Sequence, residues 1–180
     1  MTPSGAAAGA PVRRESALRL CWLGRLRKLT AAMTITDVLL AEHAVFHNLF
    51  DHIEATGPKV KTLAEVKGLA FLVEKLHEPH SKTEDDLFIE PLEPYFDQLG
   101  QQETFHAEHE QIEAALKAVQ KARTLKDAKK ILLNAIAASR KHFDNEERIV
   151  FPLAERILKA KTLSELGEQW LNRREVWKKW

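Results

Sequence analysis

His142-Phe-Asp-Asn-Glu146-Glu-Arg-Ile-Val-Phe-Pro152 sets an imidazole and a carboxylate four residues apart, and His80-Ser-Lys-Thr-Glu84-Asp-Asp-Leu-Phe88 does the same earlier in the chain. Four residues on an α-helix amount to about 40° of rotation, so each pair can face a single point. Both pairs sit on apolar stripes of helical period. Ile131, Ala135, Ala138, His142, Glu146, Ile149 and Leu153 share one face of a helix over about 127–159, opened by Thr124-x-x-Asp127. Leu63, Val66, Leu69, Val73 and Leu76 form the stripe of another, which begins at a Thr62-x-x-Glu65 capping box. Pro79 should kink that helix or begin a second segment carrying His80, Glu84, Leu87 and Phe88, and Pro91 and Pro94 should end it.

Outward from these two stretches the pattern repeats. A first helix is expected over about 36–55, with Leu39, Phe46, Leu49, Phe50 and Ile53 on its apolar side and a stop at Thr56-Gly57-Pro58. His43, four residues after Leu39 and three before Phe46, falls on that side. A further helix over about 103–122 carries Phe105, His109, Ile112, Leu116 and Val119 at alternating spacings of four and three. Sustained period-2 alternation is nearly absent, so the fold class is all-α, a bundle over residues 33–160. Residues 161–180 predict a short additional helix through Leu163, Leu166, Trp170, Leu171 and Val176. With three of the four tryptophans beside Arg173 and Arg174, this tail is expected to pack on the bundle, a homodimer or protein-partner surface being the alternative.

A single histidine on an apolar face is usually an ordinary core residue. Four helices that each bring one, two of them with a carboxylate one turn later, are different. Burying four imidazoles and two carboxylates in one core leaves charge uncompensated at several kcal/mol each unless a cation offsets it. Imidazole with carboxylate and no thiolate suits iron or manganese better than a structural zinc site, and two carboxylates can bridge two ions.

Glu42-His43-Ala-Val-Phe46, the two quoted stretches and Glu108-His109-Glu-Gln-Ile112 resemble, in order and spacing, the hemerythrin-like HHE cation-binding domain family over about residues 36–158. The resemblance implies an up-down-up-down four-helix bundle with a non-haem di-iron site. Carried over residue by residue, His43, His80, His109 and His142 would be terminal metal ligands and Glu84 and Glu146 bridging ones. Oxygen-carrying hemerythrins have a His-x-x-x-His pair on the third helix, and the earlier position here is Phe105. They also use an Asp five residues after the last histidine, where this chain has Glu147; Glu146, nearer the stripe, is preferred and Glu147 is the alternative. His106, about 60° off the stripe, is read as an outer partner, and His47 as a surface or inter-helix residue. His52 and His77 are expected to face solvent. The implied ligand is a small oxidant (oxygen, peroxide or nitric oxide), with iron or oxygen sensing or iron storage as the non-catalytic alternative. Zinc or manganese would satisfy the same donors.

The 180 residues are 44% hydrophobic and 29% charged, enough for one core, and the net charge of +1 divides unevenly. Residues 1–32 carry six basic side chains against one acidic, which leaves −4 on residues 33–180. A basic face on the folded part is therefore lacking, and nucleic-acid binding is not expected. No apolar run suits a membrane span. The Arg-rich leader, interrupted by Arg19 and Arg25, does not read as an export signal, and the lone Cys21 excludes an intrachain disulfide; both suggest a cytoplasmic protein. Residues 1–32 read as a disordered extension or as a mis-assigned start, with Met33 the true initiator.

Overall fold

The computed structural model describes residues 33–96 and 104–174. Among them every regular element is helical: α1 (Ile35–Thr56), α2 (Leu63–Glu84), α3 (Glu90–Phe96), α4 (Thr104–Lys121), α5 (Leu125–Asn145), α6 (Phe151–Ile157) and α7 (Ala160–Arg174). Short connections join α1 to α2 and α4 to α5, and the four long helices α1, α2, α4 and α5 make an up-down-up-down bundle. The expectations placed on residues 1–32, Glu103, Val176, Trp177 and Trp180 lie outside the described residues. No helix among those described is long and apolar enough to cross a membrane.

Local chemistry sets the helix starts. Thr34 and Thr62 close reciprocal capping boxes with Asp37 and Glu65, and Thr124 Oγ accepts the backbone N–H of Asp127. Each such cap contributes roughly 1 kcal/mol.

The helices differ from expectation at their prolines. α2 runs unbroken through Pro79, and the chain changes winding only at Asp85–Ile89, one π-helical turn that feeds α3. Pro91 and Pro94 lie inside α3 instead of ending a helix. The helix expected over 127–159 is likewise α5, a π turn at Glu146–Val150, and α6. In the two π turns the N–H groups of Glu90 and Phe151 reach back five residues, to the carbonyls of Asp85 and Glu146. Each of these donors immediately precedes a proline. A proline ring collides with the carbonyl four residues back in a regular helix, and the wider turn relieves that collision.

The π turn also shifts the buried face. Ile149 is exposed and Val150 takes its place in the core. On α2 the buried stripe is Val66, Ala70, Val73, His77, His80 and Glu84, not the series ending at Leu76, which is exposed. Both series fit a helical period; the observed one continues to His80 and Glu84, so it wins. Ala138 also faces solvent, and Ser139 takes the inner position.

Two apolar clusters result. The lower one joins Phe46, Phe50, Ile53, Val73, Ile112, Leu116, Ile136 and Phe143 from the four long helices. The upper one joins Ile35, Leu39, Phe88, Phe96, Phe105, Phe151 and Trp170, and depends on the segments beyond the π turns and on α7. The buried histidines and the carboxylates of Glu84 and Glu146 come from the stretches between them.

α7 crosses the start of α1 at Gly167, where an added Cβ would collide with the Met33 carbonyl oxygen and the Thr34 backbone. Gly167→Val is therefore expected to lift α7 and expose Trp170, costing about 1–3 kcal/mol as an overpacking substitution. A red-shifted Trp170 emission relative to the parent, with helix content retained, checks it; an unshifted spectrum contradicts the close crossing.

Candidate metal centre

His43 on α1, His80 and Glu84 on α2, His109 on α4, and His142 with Glu146 at the α5 end all have 2% exposure or less. Their donor atoms converge. Glu84, His109, His142 and Glu146 each place one ligand atom within 4.8 Å of the others, and His43, His80 and Glu84 form a second such group. Glu84 Oε2 is 3.4 Å from His80 Nε2 and 3.7 Å from His109 Nε2, so this carboxylate faces both groups. Glu146 does the same, with Oε1 3.1 Å from His142 Nε2 and Oε2 3.6 Å from His43 Nε2. Every one of the six residues singled out from sequence is in the cage.

Each imidazole turns Nε2 inward because its Nδ1 is held from outside. His80 Nδ1 donates to Glu42 (2.8 Å), His109 Nδ1 to Asp85 (2.9 Å), His142 Nδ1 to Glu108 (2.9 Å) and His43 Nδ1 to Glu147 (3.0 Å). Three of the acids belong to the helical segment that precedes that of their histidine, and Glu147, on the last, bonds His43 on the first, so the four bonds form a closed ring around the bundle. Such outer carboxylates fix the tautomer and orientation of a metal-binding imidazole and raise its basicity. Three of the four were not identified from sequence, and Glu147 was assigned a different part. The available signal was adjacency: each acid is the immediate neighbour of a caged residue, as in Glu42-His43, Glu84-Asp85, Glu108-His109 and Glu146-Glu147.

His106 joins the ring from outside, through Asp85 (2.8 Å) and Glu93 (3.2 Å), as an outer partner. His47 lies between α1 and α5, accepting from Arg140 at 3.0 Å. His52 is exposed, but the expectation for His77 fails: it is fully buried. On α2 it precedes His80 by three residues and so shares its face, a position that the assignment of Leu76 to the core had obscured.

Glu42 ties the cage to α7. Its carboxylate accepts the Trp170 indole N–H (2.8 Å) and Arg174 Nε (2.9 Å) as well as His80 Nδ1. Burial alone would raise the pKa of Glu42, but these bonds hold it down at about 2.

The protons of the cage follow from the same forces. Burial opposes charge on His142, yet the charge of Glu146 and the bonds to Glu108 and Glu146 push it up to about 10. Glu146, against its own burial, is drawn down to about 2 by His142. Burial first, and then the charge of Glu146, raise Glu84 well above the usual carboxylate range. Burial lowers His43 to about 3 despite Glu146. Among the six caged residues the protein by itself thus holds one ion pair, His142–Glu146, with Glu84 neutral.

That balance leaves buried atoms without partners. His43 Nε2, His80 Nε2 and both oxygens of Glu84 and of Glu146 accept no hydrogen bond. Buried polar groups are otherwise nearly always satisfied, so these inward lone pairs fit cations. The donor set of imidazoles and carboxylates suits a first-row divalent metal.

Fold and cage together define a metal-binding four-helix bundle of the kind that places histidine and carboxylate ligands on facing helices. The family model for the hemerythrin HHE cation-binding domain matches residues 34–154. The chain belongs to that family. No curated protein and no solved structure gives a significant match.

Proposed function

We propose that this protein is a non-haem di-iron protein that binds or reacts with a small oxidant: oxygen, peroxide or nitric oxide. The observation that carries the reading is the pair of ligand groups sharing Glu84, with Glu146 facing donors of both. His43 and His80 would hold one ion, His109 and His142 the other, and Glu84 and Glu146 would bridge. An iron pair there would supply electrons to a small acceptor at an open coordination position. The chain supplies the rest. Phe143, Phe46 and Phe151 pack against His43 and His80 and keep bulk water from the cage, and the outer acids hold each Nδ1–H so that every Nε2 turns toward the centre.

The test is to load the chain with Fe(II) without oxygen, count metal, and record visible spectra before and after air. Two irons per chain and new near-ultraviolet bands on oxidation are expected; one iron or none, or no response to air, contradicts the reading.

One observation favours a sensor over an oxidant-consuming protein. The Trp170 and Arg174 contacts to Glu42 join the docking of α7 to the orientation of His80. Sustained peroxide turnover would favour chemistry, and protease protection of α7 only when metal is bound would favour sensing.

A further inference from the structure

His77 is the fifth fully buried imidazole at the level of the cage, and the ligand sets above do not use it. Its ring centroid lies 5.9 Å from that of His109, at an interplanar angle of 80°, and 6.2 Å from that of His80. Phe46, at 6.1 Å, and Phe143, at 6.4 Å, close its other sides. The four caged histidines each have an acid on Nδ1; on His77 both Nδ1 and Nε2 are without a partner. Leaving a buried donor and acceptor unpaired costs about 1–3 kcal/mol each. An apolar residue of similar size would fill the same space without that cost.

The surroundings decide what the partner is. Two of the four neighbouring rings are phenyls and two belong to the cage, so a polar partner has to arrive from the side of the cage. His77 falls in neither group of converging donors, which puts it beside a guest of the centre and not on the metal.

We infer that His77 is a ligand-positioning residue: its N–H donates a hydrogen bond to a small anionic or diatomic guest that enters the metal centre between α2 and α4. This rests on the di-iron reading above and names the residue that orients the guest.

The test uses the full chain loaded with iron and oxidised with ferricyanide, so that reactivity with oxygen is not required, and azide as the probe. His77→Phe and His77→Leu should keep two irons and weaken azide binding about tenfold, which matches the loss of one hydrogen bond of about 1.4 kcal/mol. His77→Gln, which keeps an N–H donor, should recover part of the affinity and of the azide absorption band. Without metal, His77→Phe should melt at or above the parent temperature. Unchanged azide affinity in the two apolar variants overturns the inference. So does loss of an iron in them, which would make His77 a metal ligand. A parent chain holding fewer than two irons overturns the di-iron reading itself, and the role of His77 with it.

Discussion

Adding two equivalents of Fe(II) to the metal-free protein, with free metal about a thousandfold above the dissociation constant, should raise its melting temperature by about 15–30 °C. Each ion held by the folded chain alone then contributes about 4 kcal/mol, and a chain of this size gains roughly 2–4 °C per kcal/mol. The gain must depend on pH, because metal competes with protons. In the metal-free protein His142 titrates near 10, above its ordinary 6.5, so its contribution to stability is complete below about 6.5 and disappears as pH rises through 10. Glu146 titrates near 2, below its ordinary 4.5; its contribution is complete above 4.5 and is lost as pH falls through 2. Metal must displace the proton on His142 and the one that burial keeps on Glu84. Loading at pH 7 should therefore release about two protons per chain, and the thermal gain should grow from pH 5.5 to 8. Calorimetry in weak buffer with a pH indicator measures both. Metal uptake without proton release would show that the ions sit elsewhere.

The second large effect separates two carboxylates that look alike. Glu84 is held neutral and belongs to both ligand groups, whereas Glu146 is charged and is the counter-ion of His142. Glu84→Gln should leave the metal-free protein within about 1 kcal/mol of the parent, since an amide replaces an uncharged acid of nearly the same shape. Its metal content should fall from two to one or none. Glu146→Gln should cost the metal-free protein about 3 kcal/mol, the low end for breaking a buried pair because His142 keeps its bond to Glu108. Urea unfolding of both variants, stripped of metal, gives the comparison. Equal losses would refute the assignment of charge.

The four long helices and the all-α class were legible because the apolar residues recur at helical spacing, and the caps at Thr62 and Thr124 mark where two of them begin. The six caged side chains were legible for the same reason, reinforced by the two His-x-x-x-Glu pairs. The π turns were not. Nothing in a helical period announces a turn with one extra residue; the clue lay in Pro91 and Pro152, which a period-based reading takes as a stop or passes over. His77 was hidden by an ambiguity of one residue, since Leu76 is the more hydrophobic choice and only the continuation to His80 and Glu84 decides the face. The outer acids were hidden by composition. Charged neighbours of a buried residue usually belong to a solvated surface, and only the packing of the adjacent helix turns them into partners.

The ring of outer acids also selects the handedness of the bundle. Successive residues on an α-helix are about 100° apart, so the residue before a given position on an ascending helix lies on the same side as the residue after it on a descending one. The chain follows that rule. In α1 and α4, which run one way, the acid precedes the caged residue, as Glu42 precedes His43 and Glu108 precedes His109. In the strands that run the other way it follows, as Asp85 follows Glu84 and Glu147 follows Glu146. All four acids consequently lean in one rotational sense, each toward the imidazole it bonds. A bundle wound in the mirror order would aim every acid at the wrong neighbour, so four single-residue adjacencies distinguish two topologies that the apolar pattern leaves equivalent.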